Sequence, residues 1–161
     1  MCRIFAVLFL GLALIGASEA WAKNETLDDL RAWIGKYPAD QIDGHKLWDN
    51  PELQKKMAAF AGPNIRKILF EGGLSVSSPV AIQDDVLYLS SCQEHACAVN
   101  QAKVFVDLKK KAVFLCWRYA YREMRDVWLE ANQDPQFLSP GSCTEEASDR
   151  PFDLLKKYRK G

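Results

Sequence analysis

The fold is decided by residues 86–121, which read VLYLSSCQEHACAVNQAKVFVDLKKKAVFLCWRYAY. This stretch contains three segments that are rich in β-branched and aromatic residues and are separated by polar residues, a pattern typical of consecutive strands joined by turns. The three segments are 86–89, 103–108 and 112–121. In the middle segment Val104 and Val106 alternate with Phe105, so their side chains should point to opposite faces of a strand. The stretch therefore predicts an antiparallel meander.

Helical patterns precede the meander, and one follows it. Apolar residues at helical spacing predict helices over 26–37, 50–60, 64–70 and 149–158, and further β-rich segments predict strands at 80–82 and 127–129. Thr26 and Asp29 favour the first helix start, and Gly72 favours the end of the third helix. Residues 135–146 are predicted to form a loop that Cys143 anchors. Helices, then a meander of about five strands, then a closing helix indicate an α+β fold.

The N-terminus has the pattern of a secretory signal peptide. Arg3 is followed by an uncharged apolar run, and Ala20 and Ala22 place small residues where a signal peptidase reads them. We expect cleavage after Ala22, or after Ala20, so that residues 1–22 form the signal peptide and residues 23–161 form a single domain.

A membrane anchor is disfavoured, because the apolar run is shorter than the roughly 20 residues that a span requires. Cys2 lies before the run, so it is not placed for lipidation after cleavage. The mature chain is therefore expected in the periplasm, without a membrane partner. The chain has 21 basic and 21 acidic residues, and this balance argues against a nucleic-acid partner.

Four cysteines remain after cleavage, and an even count in an exported chain indicates two disulfides with three possible connectivities. Cys92 and Cys97 are close enough in sequence to close a small ring, which leaves Cys116 to pair with Cys143. The ring contains the motif Cys92-x-x-His95-x-Cys97 between two predicted strands. It should therefore protrude as a hairpin loop that displays His95.

Four interpretations of this motif compete. The first is a structural disulfide beside an incidental surface histidine, and the second is a zinc site formed by Cys92, His95 and Cys97. Zinc is disfavoured because a structural site needs four ligands, so no metal or other cofactor is expected. The third is a reactive thiol, although the spacing is not Cys-x-x-Cys. The fourth, a recognition loop, is favoured, and the sequence shows no nucleophile–base pair that would indicate an enzyme.

The loop and the strands around it resemble the Ivy family, the inhibitors of vertebrate lysozyme that proteobacteria export. The resemblance implies a central antiparallel sheet with helices packed on one face. It also implies that the Cys92–Cys97 loop enters the cleft of chicken-type lysozyme, where His95 lies against the two catalytic carboxylates. The family loop has Lys-Pro before the histidine and Asp after it, whereas this chain has Gln93, Glu94 and Ala96 in those places.

The resemblance implies either a host lysozyme or an endogenous lytic transglycosylase as the partner, and a second copy of the chain is a further candidate. The alternative function is a periplasmic metal- or thiol-handling protein that uses Cys92, His95 and Cys97. Three polar residues beside the ring are candidate rim contacts or ordinary hairpin shoulders. They are Ser90, Ser91 and Asn100.

Overall fold

The computed structural model describes residues 25–118, 125–143 and 151–158. Within these residues the centre of the fold is an antiparallel sheet of seven strands in the order β1-β3-β4-β5-β6-β7, and β2 also pairs with β3. The strands are β1 Val76–Ser77, β2 Ala81–Gln83, β3 Val86–Cys92, β4 Gln101–Asp107, β5 Ala112–Arg118, β6 Asp126–Glu130 and β7 Gln136–Leu138. The predicted meander corresponds to β3, β4 and β5, and the α+β prediction is confirmed.

The sheet has more strands than the five or so expected, because β1 and β7 are edge strands of only two and three residues. β7 lies inside residues 135–146, which were predicted to be loop. That prediction was wrong because Gln136–Leu138 pairs with β6 along its whole length. The predicted strand end at 119–121 and the signal peptide lie outside the described residues.

The helices are short, and their ends follow from local sequence. They are α1 Pro51–Ala58, α2 Pro63–Phe70 and α3 Pro151–Tyr158, preceded by the 3-10 helices Leu27–Trp33 and Leu47–Asp49. The Asn50 side chain accepts a hydrogen bond from the Leu53 backbone N–H at 2.9 Å and so caps α1. After α2, Gly72 adopts a positive φ of 86°, and the N–H of Gly73 bonds back to the carbonyl of Ile68. Among the described residues, no helix is long and apolar enough to cross a membrane.

The first helix is shorter than predicted and is not an α-helix. It ends at Trp33 because Ile34 forms an isolated bridge with Val80, and the N–H of Gly35 donates to the Val80 carbonyl at 2.8 Å. The backbone is thus diverted onto the edge of the sheet before a second α-helical turn can form. The predicted start is correct, because the Asp29 carboxylate accepts from the Thr26 backbone N–H at 2.7 Å.

Side chains are buried on both faces of the sheet. One face, which we call the helical face, packs against the N-terminal helices through a cluster that includes Leu30, Leu53, Val104 and Leu115. The opposite face, which we call the aromatic face, is formed by a second set of buried residues. They are Val86, Tyr88, Phe105, Phe114, Cys116, Trp128, Cys143 and Leu155.

Helices pack on both faces of the sheet, not on one face as the resemblance implied. Leu155 of α3 belongs to the cluster on this face, whereas α1 and α2 contribute to the cluster on the other. All seven residues of β4 are therefore buried, although their alternation could have indicated one solvated face.

Candidate functional site

One end of the sheet carries the connection between β3 and β4, where Cys92 and Cys97 form a disulfide with a Cα–Cα distance of 4.8 Å. We call residues 92–97 the stapled loop. Its base is firmly placed, because Cys92 is the last residue of β3, is buried and is paired with Gln101 at the start of β4. The loop therefore starts from the rigid core of the meander.

The tip of the stapled loop is a tight turn in which the Ala96 N–H donates to the Gln93 carbonyl at 2.9 Å. His95 is the third residue of this turn and has a φ of +61°, a left-handed conformation that non-glycine residues seldom adopt. Its side chain is 91% exposed. The backbone thus holds the imidazole outward at the apex of the loop.

Glu94 is the closest charged neighbour of the imidazole. One of its carboxylate oxygens lies 3.5 Å from His95 Nε2, and both side chains are mostly exposed. An ion pair at such a surface position contributes little to stability. The pair matters for recognition instead, because a partner that contacts His95 also meets the Glu94 carboxylate.

A second closure lies below the disulfide. The Gln93 N–H donates to the Asn100 carbonyl at 3.0 Å, and the Asn100 side-chain amide donates to Gln93 Oε1 at 2.5 Å. The Asn100 N–H also bonds to the carbonyl of Ala96. Asn100, which the sequence marked as a candidate rim contact, therefore also closes the base of the loop through its own hydrogen bonds.

Ser90 and Ser91 do not form a rim. Both are buried, and the Ser90 backbone and the Ser91 hydroxyl are bonded within the sheet. The Ser90 N–H donates to Ser78 Oγ at 2.9 Å, and the hydroxyl groups of Ser91 and Ser77 lie 2.9 Å apart. The rim-contact hypothesis for these two residues was wrong because Ser91 is paired with Ser77 of β1 and Ser90 is buried on the aromatic face.

The second disulfide joins Cys116 of β5 to Cys143, so the structure has the cysteine pairing expected from the spacing. Asp126 supports it, because its fully buried carboxylate accepts from the Cys143 N–H at 2.8 Å and lies 3.3 Å from the Arg118 guanidinium. These residues lie on the aromatic face, below the stapled loop.

Buried polar residues on that face were not predicted from the sequence. They are Ser90, Gln101, Lys103, Asp107, Arg118, Asp126 and Glu130. Most of these residues alternate with apolar residues along their strands, a pattern that predicts a solvent-exposed face. The sequence contains no local signal that another part of the chain covers this face.

Two surface cavities among the described residues lie away from the stapled loop. One of about 320 Å³ is lined by residues that include Lys56, Phe60 and Lys111, and another of about 310 Å³ by residues that include Trp33 and His45. Enzyme sites are usually concave, whereas the stapled loop projects from the sheet. Its geometry therefore fits insertion into a cleft on another molecule.

The stapled loop offers no thiolate in this structure, because the sulfurs of Cys92 and Cys97 are bonded to each other. Among the described residues, no group of three or more His, Cys, Asp and Glu side chains is arranged to hold a metal ion. His45 is exposed after a tight turn at Gly44, and Trp117 is buried in the helical-face cluster.

The fold and the site together define a disulfide-bonded α+β scaffold that displays one rigid, convex loop. The chain belongs to the Ivy family, since the family model described as inhibitor of vertebrate lysozyme matches residues 50–146, more than half of its length. The matched segment contains all seven strands, the stapled loop and both disulfides. Comparisons with curated proteins and with solved structures found no match.

Proposed function

We propose that this protein inhibits a chicken-type lysozyme by inserting the stapled loop into the active-site cleft, so that His95 occludes the catalytic carboxylates. Membership of an inhibitor family supports lysozyme as the target. The observation that carries the mechanism is the presentation of His95, an exposed imidazole at the apex of a loop that is closed twice at its base. An endogenous lytic transglycosylase is an alternative target of the same loop.

The chemistry of the target suits an imidazole. Lysozyme uses one protonated carboxylic acid and one ionised carboxylate to cleave a glycosidic bond. An imidazole has a hydrogen-bonding nitrogen on each side of its ring, so a single His95 can contact both groups. The ring also occupies space that the sugar needs, so inhibition requires no reaction by the inhibitor.

The closures of the loop reduce the cost of binding. A mobile loop loses conformational entropy when a partner fixes it, and that loss subtracts from the affinity. Here the Cys92–Cys97 disulfide, the turn at His95 and the pair formed by Gln93 and Asn100 define the loop before the partner arrives. More of the contact energy is then retained as affinity.

Glu94 is expected to adjust the choice of target. It would bring a third carboxylate towards the two in the cleft, and like charges at close range oppose binding. Lysozymes of this type are basic overall, so the long-range field still attracts the loop. We infer that Glu94 favours targets whose cleft rim supplies a cation beside the catalytic groups.

We further propose that residues 1–22 direct export, and that the remaining domain acts in the periplasm. Lysozyme that crosses the outer membrane would meet the inhibitor there.

The proposal is tested by adding the mature protein to hen lysozyme and following the lysis of bacterial cell walls. Wild type is expected to slow lysis, and His95→Asn should weaken binding by about 2–4 kcal/mol, the range for a side chain at the centre of an interface. Asn tolerates the left-handed backbone, so this variant removes the imidazole with little strain. His45→Asn is the matched control, because it changes the other histidine at an exposed position outside the loop.

Failure of the wild-type protein to inhibit would contradict the proposed function. Equal inhibition by wild type and His95→Asn would instead remove His95 from the mechanism. His45→Asn is expected to behave as wild type.

A further inference from the structure

Among the described residues four large hydrophobic side chains are exposed, and two of them lie at the end of the sheet that carries the stapled loop. The four are Ile34, Tyr37, Val76 and Phe137. Val76 is paired with Cys92, and Phe137 precedes Leu138, which is paired with the first residue of β6. Val76 and Phe137 therefore lie on the two opposite edges of the sheet, at the end where the stapled loop projects.

Phe137 is the most exposed of the four, at 67%. It lies at the centre of the edge strand β7, and the guanidinium carbon of Arg125 is 5.5 Å from the centre of its ring. An isolated exposed hydrophobic residue needs no special explanation. An aromatic ring stacked with an arginine is a more specific feature, because both residue types are enriched where proteins bind one another.

The spacing of the strands places Phe137 within reach of the partner that holds the loop. Neighbouring strands are about 4.8 Å apart, so the three and a half steps from the midpoint between β3 and β4 to β7 amount to about 17 Å. A standard interface buries about 800 to 1,000 Å² on each partner, which corresponds to a roughly circular patch of about 16 to 18 Å radius. The edge of a patch centred on the stapled loop therefore reaches Phe137.

We propose that Phe137, supported by Arg125, is a second anchor for the enzyme whose cleft receives the stapled loop. This inference rests on the proposed function, because it names the same lysozyme as the occupant. The ring offers its exposed surface to an apolar side chain on the rim beside the cleft. Arg125 holds the ring from one side.

The test compares the affinities of wild type, Phe137→Ala, Arg125→Gln and Tyr37→Ala for hen lysozyme by isothermal titration. Phe137→Ala should bind about tenfold more weakly, with Arg125→Gln affected less, in keeping with the loss of an aromatic anchor. Tyr37→Ala is the matched control, because it removes an aromatic side chain that is 51% exposed and lies outside the strands. It should bind as wild type does.

Two further measurements separate the possible outcomes. The losses from Phe137→Ala and His95→Asn should add in the double variant, because the two residues are too far apart to couple. Sedimentation velocity on wild type and Phe137→Ala measures the oligomeric state of each, and so shows whether the ring instead joins two copies of this chain.

Each result decides the inference. A tenfold loss for Phe137→Ala with Tyr37→Ala unchanged supports it. Wild-type binding with no loss for Phe137→Ala overturns this inference and leaves the proposed function intact. A wild-type dimer that Phe137→Ala dissociates, at unchanged affinity for lysozyme, assigns the ring to self-association and also overturns it. Absence of wild-type binding overturns both proposals together.

Discussion

The two disulfides begin on the same face of the sheet but lie in opposite surroundings. Cys116 and Cys143 are both fully buried, in a cluster with Phe114 and Trp128, and they are 27 residues apart in sequence. Cys92 and Cys97 are five residues apart, and only Cys92 is buried. The same bond thus holds distant parts of the core together in one region and shapes an exposed loop in the other. The first region should govern stability, and the second should govern recognition.

The largest effect is expected for Asp126→Ala in the buried region. The substitution leaves the Arg118 guanidinium buried without this carboxylate and removes the acceptor of the Cys143 N–H. Breaking a buried ion pair from one side costs about 3–5 kcal/mol, so the free energy of unfolding in urea should fall by that amount. Asp126→Asn keeps an acceptor for Cys143 and separates the two contributions. Asp134→Ala, at an exposed position, is the control and should change stability by less than about 0.5 kcal/mol.

The next effect is that of the double substitution Cys116→Ala/Cys143→Ala. Opening a loop of this length should lower the free energy of unfolding by about 3.6 kcal/mol, because the unfolded chain regains entropy. The folded fraction should still inhibit lysozyme, since the stapled loop is unchanged. A large loss of inhibition per folded molecule would break the division between the two regions.

The smallest effect on stability is expected for Cys92→Ala/Cys97→Ala. The short ring removes less entropy from the unfolded chain, so urea unfolding should reveal a loss of about 2.2 kcal/mol. Inhibition of hen lysozyme should fall more than in the Cys116/Cys143 variant, because the His95 loop is no longer fixed before binding. The division between the two regions is supported if the Cys116/Cys143 variant loses more stability and the Cys92/Cys97 variant loses more inhibition. Equal inhibition by both variants would refute it.

The meander and its loop could be predicted from sequence because their signals are local. Alternation in β4 places Val104 and Phe105 on opposite faces, and the structure assigns them to the two separate clusters. The spacing of Cys92 and Cys97 defines a ring whatever the rest of the chain does. The Ivy resemblance, which rested on this motif, is confirmed by the family match.

Other features depend on contacts that are remote in sequence. β7 has only three residues, between Pro135 and Pro140, so its pairing with β6 cannot be recognised from β-propensity alone. Lys103 is fully buried although its type and alternation favour solvent, because the aromatic face is covered. Phe137 could not be singled out from the sequence either, since a single aromatic residue in a predicted loop carries no signal.

The order of the strands has a consequence for how the chain acquires its covalent form. Because β3 to β7 are neighbours both in sequence and in the sheet, most pairings close short loops and should form early in folding. We expect the β3–β4 hairpin to bring Cys92 next to Cys97 before β6 and β7 are in place, and Cys143 to reach Cys116 only after them. Of the three ways to oxidise four thiols, this order of formation would favour one, so the chain should mature without relying on a disulfide isomerase.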